Sequence, residues 1–298
     1  MKRKQNPEQR RRGQAEHRPK RVHLTVIRDL ASGNARIEFC RPVFQEPWQN
    51  EVAKATANTA YALLAEQPTH LATVELAESA MAGTSRLAEG LLAKAPAGSV
   101  ACRAGCDHCC YQVVGVTAPE ALAISIFLKG HLSEAELRLL TSRLESLAER
   151  TQGLSAEARF SPDYACAFLE AGRCSIYEVR PLSCRGMNSL DAEACAKRLR
   201  DPEARAEFLR NGSGALTYME PIRAFHAVSA GLQIALSELY GLDMRPLDLS
   251  RAVLHLLRSP DNIVDEWLAG ADTFESALGA DNSGAVHARE LSGTLASD

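Results

Sequence analysis

The chain has no run of apolar residues approaching the roughly 18 that a membrane-spanning helix needs. No apolar segment follows the basic N-terminus, where a secretory signal would carry one. These absences predict a cytoplasmic protein with no membrane partner. In such a reducing compartment, clustered cysteines bind metal more often than they pair as disulfides. Aromatic residues make up only 5% of the chain, and none interleave the charges of the N-terminus, so a base-stacking platform for nucleic acid has no support there. There is no Gly-rich phosphate loop, no internal repeat and no βα-barrel pattern. What remains is a globular composition, 46% hydrophobic and 24% charged over 298 residues, with ample length for a sizeable core.

Charge is unevenly placed. Residues 1–21 carry nine Lys/Arg against Glu8 and Glu16, a balance of +7, so the whole-chain −3 leaves −10 for the rest. A basic tail of this kind suits nucleic acid or an acidic protein partner. With an acidic body behind it, the expectation is a solvated, disordered tail, and nucleic acid is not the expected partner. Residues 279–298 are polar and Gly/Ser-rich and read as a second flexible tail, leaving 22–278 as a single mainly helical domain.

Within that domain, Val22, Leu24 and Ile27, the turn signal Ser32-Gly33-Asn34, then Ile37 and Phe39 predict a small β-hairpin. Almost everything else reads as helix: 48–66, 69–94, a segment opened by the capping box Thr117-x-x-Glu120 and running to about Leu128, and one opened by Ser133-x-x-Glu136. Leu137, Leu140, Leu144 and Leu147 follow the second box at spacings of 3, 4 and 3, a stripe too short for a coiled coil and suited to core packing. Further helices fit 190–210, 217–240 and 246–270, with Ile222, Phe225, Val228, Leu232, Leu236 and Leu239 marking a buried face. The predicted fold class is therefore mainly α: an irregular helical domain around a cysteine-ligated metal centre, with that small hairpin at its N-terminal side.

Seven of the nine cysteines lie between positions 102 and 184, in two blocks. Cys102-x3-Cys106-x2-Cys109-Cys110 comes first, Cys166-x7-Cys174-x9-Cys184 follows, and Cys195 lies a little beyond. Thiolates are soft ligands that select zinc, copper(I) or iron–sulfur clusters. Adjacent side chains such as Cys109 and Cys110 diverge, so either one is a bystander or the pair serves two centres. With Cys195 the count reaches eight, two complete four-cysteine sets, but Cys195 falls in a segment that reads as helix, where a small buried hydrophobe is the competing reading. Cys40, alone in the hairpin region, reads as a packing residue. Four cysteinates around Zn²⁺ or a four-iron core leave a −2 site that needs compensation. Arg103, Arg173, Arg180 and Arg185 lie near enough in sequence to supply it. His108 reads as a loop residue or outer hydrogen-bond donor before it reads as a ligand. Only one C-x2-C pair is present, Cys106/Cys109, whereas structural zinc favours two, and irregular spacing with a distant contributor is closer to a four-iron cluster.

The first block, then Cys166-Ala-Phe-Leu169 and Gly172-Arg-Cys174-Ser-Ile-Tyr177-Glu-Val-Arg180-Pro181-Leu-Ser-Cys184-Arg185, together resemble the YkgJ-type cysteine-cluster family. That family is known by a CxxCxxCC signature and described as a zinc- or iron-chelating domain. The match covers about residues 100–200, and the first step departs from the signature, with three residues between Cys102 and Cys106 instead of two. The resemblance implies a metal centre, with ligand candidates Cys102, Cys106, Cys109, Cys110, Cys166, Cys174, Cys184 and Cys195. Arg180 and Arg185 would balance its charge, and Tyr177 would pack or hydrogen-bond beside it. The cofactor is then an iron–sulfur cluster, [4Fe–4S] before zinc. Flagellin lysine N-methylases carry a similar motif, which implies an iron–sulfur-linked protein-lysine methyltransferase as the alternative; radical chemistry on Cys102–Cys109 is disfavoured by the missing barrel pattern.

Overall fold

A computed structural model describes residues 24–28, 35–64, 68–211 and 217–278. The expected basic and C-terminal tails, and the Ser32–Asn34 turn, lie outside the described residues. Among those described, the elements run β1 (Leu24–Arg28), β2 (Ala35–Phe39), α1 (Pro47–Leu64), α2 (His70–Leu92), a 3₁₀ turn (His108–Tyr111), β3 (Gly115–Val116), α3 (Ala118–His131) and α4 (Glu134–Arg150). There follow α5 (Ala156–Arg159), β4 (Leu169–Glu170), β5 (Arg173–Cys174), α6 (Leu182–Gly186), α7 (Ala192–Arg200), α8 (Pro202–Asn211) and α9 (Met219–Tyr240). Last come β6 (Leu247–Asp248), α10 (Leu249–Arg258), α11 (Ile263–Leu268) and a 3₁₀ turn (Glu275–Ala277). The fold is mainly helical, with a two-stranded antiparallel hairpin at its N-terminal side, as the patterning predicts.

The hairpin pairs Leu24 with Phe39 and Val26 with Ile37. Ile37 is fully buried, and the Asn58 side chain on α1 satisfies its backbone both ways: Ile37 N donates to Asn58 Oδ1 at 2.7 Å and Asn58 Nδ2 donates to Ile37 O at 3.0 Å. One amide so replaces a third strand for β2. Cys40, just past β2, is exposed and sits 3.2 Å from Thr25 Oγ1, so its expected packing role is not what the structure has.

Helix α9 is the centre of the bundle and packs against α1, α2 and α6. Its buried face includes Phe225, Val228, Leu232 and Leu236. Against α1 the contact is made by small residues: Ala53, Ala57 and Ala60 form the buried stripe of α1, and Gly231 of α9 lies over them. A Cβ at Gly231 would stand 2.3 Å from Ala53 O and 2.7 Å from Thr56 Cβ, so the two backbones approach too closely for any side chain. Both capping boxes form, at Thr117/Glu120 and Ser133/Glu136, and α3 continues three residues past the expected end. The leucines of α4 are used internally: Leu140, Leu144 and Leu147 are buried and α4 lies against α10. Two predicted helices are each divided. Asp201 ends α7 and Pro202 opens α8, while Pro260 separates α10 from α11; proline cannot donate to the helix ladder.

No helix among the described residues is long and apolar enough to cross a membrane.

Gly231→Ala should cost about 1–3 kcal/mol in denaturant unfolding, since overpacking forces the helices apart. Gly90→Ala, in α2 with nothing within 4 Å of the added methyl, should instead gain about 0.5–1 kcal/mol. Equal effects at the two sites would refute the close approach.

Candidate metal centre

The two cysteine blocks are brought side by side by the backbone. Cys166 N donates to Cys110 O at 2.8 Å, joining the end of the first block to the start of the second. The loops run near each other again at Gly172, where an added Cβ would stand 4.0 Å from Gly105 O, and Gly105 itself turns with φ +85°, a conformation that favours glycine. At the other end, Ala101 N donates to Ser189 O at 2.8 Å and Ser189 N donates to Cys102 Sγ at 3.2 Å. Residues 101–111 are therefore flanked by the 166–174 segment on one side and by the segment leading into α7 on the other.

Local structure explains how each thiol is held. Cys102 and Cys106 sit in open loop, and Cys109 and Cys110 occupy the 3₁₀ turn His108–Tyr111. His108 faces Asp107, with Nδ1 3.6 Å from Oδ1. Cys174 lies on β5, paired with Leu169 in a tight hairpin whose central residues, Ala171 and Gly172, both have positive φ (48° and 74°). That is the geometry of the two-residue turns that match strand twist. Phe168 and Ile176, each two residues on from a cysteine, are essentially fully buried and anchor this arm in the core. Cys184 lies on α6, a short helix lodged between α2 and α9. Gly186 permits that lodging, since a Cβ there would meet Phe225 Cδ1 at 2.5 Å and Pro221 O at 2.7 Å. Cys195 is half-buried on α7, with Arg198 Nη2 donating to its sulfur at 3.1 Å, and α7 packs on the 3₁₀ turn.

A buried carboxylate fixes the start of α6. Glu120, 2% exposed, closes its own capping box by accepting from Thr117 N at 2.9 Å and Thr117 Oγ1 at 2.8 Å through Oε2. Its other oxygen accepts from Leu182 N at 2.8 Å, the first residue of α6. Burial raises its pKa, while the hydrogen bonds from Leu182 and Thr117 and the nearby Arg185 charge oppose that rise. The sequence shows the capping box but carries no sign of this third bond.

The arginines differ in part from those expected. Arg185 directs its donors to backbone and hydroxyl: Nε to Arg180 O at 2.8 Å, Nη2 to Glu178 O at 2.5 Å and Nη1 to Ser85 Oγ at 2.6 Å. It staples the 178–180 loop to α2 and still lies beside Cys184 electrostatically. Arg180 stacks over the Tyr177 ring at 4.3 Å, and its charge opposes the raised pKa values of Cys109, Cys174 and Cys184. Tyr177 is 61% exposed, so its contact here is with Arg180 at the surface. Arg103 and Arg173 are exposed. Arg159 was not anticipated. It is 6% exposed, donates from Nη1 to Tyr164 O and to Tyr111 O at 3.4 Å, and its charge acts on Cys166. It so ties the residue after Cys110 to the approach to Cys166. Nothing in its spacing from either block marks it.

All nine cysteines are free thiols. Burial pushes Cys166 up to about 11 and also raises Cys102, Cys174 and Cys184, with neighbouring thiols adding to the rise. Cys109 is raised first by its hydrogen bond with the Cys110 thiol, then by desolvation of its sulfur, although the residue as a whole is exposed. This is the reverse of a nucleophilic or disulfide-exchanging cysteine, whose thiol is lowered. Crowded, protonated thiols are a set that a soft cation would ionise. Among the described residues, no three Cys, His, Asp or Glu side chains stand together tightly enough to hold an ion in the positions they occupy. The donor chemistry nonetheless fits zinc or an iron–sulfur cluster: the soft thiols are gathered on adjoining loops, and the nearby carboxylates Asp107 and Glu120 face His108 and backbone amides.

Residues 101–201, about a third of the chain, match the model of a family described as "CxxCxxCC: Putative zinc- or iron-chelating domain", the cysteine-cluster family that the motifs resemble. No curated protein and no solved structure is significantly similar to the chain.

Glu120→Ala should destabilise the protein by roughly 2–4 kcal/mol, because it leaves buried donors at Leu182 and Thr117 unpaired. In metal-free protein the raised thiols set a pH dependence. Below the ordinary thiol value of 9.0 both folded and unfolded chains hold their protons, and the contribution to stability is complete. Between 9.0 and about 11 the unfolded chain loses protons before folded Cys166 does. Melting temperature should therefore fall across that window, and a flat profile would contradict the burial of these thiols.

Proposed function

We propose that the protein is a metal-binding protein that holds an iron–sulfur cluster, [4Fe–4S], between its two cysteine-rich arms, with zinc as the competing occupant. Cys102, Cys106, Cys109, Cys110, Cys166, Cys174, Cys184 and Cys195 are the ligand set in this reading. Arg180 and Arg185 offset the negative charge of the thiolates, and Tyr177 backs the Arg180 guanidinium. The observation that carries the reading is the hydrogen bond between Cys166 N and Cys110 O, which sets the start of the second cysteine block against the end of the first, more than fifty residues away in sequence. The family match supports zinc or iron chelation in that stretch. The choice of iron–sulfur over zinc rests on the irregular spacing and the single C-x2-C pair. Lysine methyl transfer rests on the resemblance alone.

A bound cluster would cross-link the 102–110 loop to β5 and α6, and its binding free energy would then be part of the folding free energy. The chain's own contribution is to hold the thiols near one another and near cations before metal arrives. Arg159, Arg180, Arg185 and Arg198 all act on a cysteine of the set.

Anaerobic purification with elemental analysis and visible absorbance tests the proposal. Brown protein absorbing near about 400 nm with irons in multiples of about four supports the cluster, colourless protein with stoichiometric zinc supports the competing occupant, and metal-free protein sinks both. Cys174→Ser should lower the metal content and cost on the order of a few kcal/mol of stability, because the binding energy of the site is lost from folding. An unchanged melting temperature and metal content would remove Cys174 from the ligand set.

A further inference from the structure

We propose that the eight thiols form two adjacent metal centres whose common wall is the vicinal pair Cys109–Cys110, one completed by Cys102, Cys106 and Cys195, the other by Cys166, Cys174 and Cys184. This rests on the metal-binding reading above and deepens it.

The donor count requires a decision. Four thiolates complete a tetrahedral zinc site or a four-iron cluster, so eight exceed one centre by a full set. The backbone then divides them. From Cys102 a continuous chain of hydrogen bonds leads to Cys195. Ser189 N donates to Cys102 Sγ, Ser189 Oγ donates to Asp191 O at 2.9 Å, Asp191 caps α7 through Ala194 N at 2.9 Å, and Cys195 N donates to Asp191 O at 3.3 Å. Helix α7 in turn lies against the 3₁₀ turn that carries Cys109 and Cys110. The second set is assembled by different bonds: Cys166 N to Cys110 O, the Leu169–Cys174 pairing, and Glu120 holding the first amide of α6 two residues before Cys184. No bond in either series is shared, and both end on the same turn.

That turn suits a dividing wall. Successive residues of a 3₁₀ helix point about 120° apart around its axis, so neighbouring cysteines on it leave in different directions. Each set also has its own cations, Arg198 on the Cys195 sulfur, and Arg159, Arg180 and Arg185 around Cys166, Cys174 and Cys184. Two centres that each leave a −2 charge would need this separate compensation.

The test counts metal. The full chain, stripped of metal under reducing anaerobic conditions, is titrated with Zn²⁺, and iron is counted in the protein as isolated. Two zincs per chain, or about eight irons, is the expected result, because each four-thiolate set takes one zinc or one four-iron cluster. One zinc or about four irons overturns the two-centre proposal while leaving metal binding standing; no metal at all overturns both. The division itself is read from Cys195→Ser and Cys166→Ser, each of which should retain one zinc and lose one, with the double variant losing both. Loss of both metals from either single variant, with the far-UV circular dichroism unchanged, would show one fused centre and overturn the division. Should Cys195→Ser fail to fold, Cys102→Ser removes a ligand of the same set from an open loop and is read by the same criterion.

Discussion

One backbone hydrogen bond, from Cys166 N to Cys110 O, carries most of what is distinctive about this molecule. Without it the first cysteine block would be a surface connection between α2 and α3, and the second a separate excursion before α7. A single peptide contact of this kind is worth only about 1 kcal/mol net. It is therefore reinforced. Arg159 reaches from α5 to Tyr111 and Tyr164 on its two sides, and Phe168 and Ile176 bury the arm that follows. The two loops also run near each other at Gly172 and Gly105. The helical bundle serves as the frame on which these weak links act together.

The electrostatics of the region follows from the same packing. Bringing many thiols into partly buried space makes Cys102, Cys166, Cys174 and Cys184 harder to ionise, by desolvation and by the presence of neighbouring thiols. Four arginines stand close enough to oppose that effect, yet several of their N–H groups are committed to backbone carbonyls. Their first effect is thus geometric, stapling loops, and their second is to leave positive charge beside the sulfurs. Such an environment keeps thiols protonated and unreactive until a cation of high affinity displaces the protons, which distinguishes it from the electropositive pockets that activate nucleophilic cysteines.

Much of this was legible in the residues themselves. The capping boxes at Thr117/Glu120 and Ser133/Glu136 formed as read, because a cap is a contact between residues three apart. The leucine stripe of α4 and the apolar face of α9 were legible because helical periodicity repeats inside a short window. Other features were not. Pro202 and Pro260 divided helices whose apolar spacing ran across them. The Ala171–Gly172 turn was missed since alanine gives no turn signal, and Ala171 takes positive φ only because the strands on either side hold it there. Cys40 proved exposed because Ile37, not Cys40, is the residue that the hairpin turns toward α1.

The amino-acid order alone determined the inventory: mainly helical segments, their caps, and a set of soft donors whose chemistry selects zinc or iron. These are local or compositional properties, set within a few residues of each atom involved. Only the tertiary structure decided which donors share a neighbourhood, that Glu120 holds α6 as well as its own helix, and that Arg159 and Arg198 stand beside thiols. Those outcomes depend on hydrogen bonds and burial between segments tens of residues apart. Such contacts have no period and no fixed spacing, and they exist only once α1, α2 and α9 have packed into a common frame.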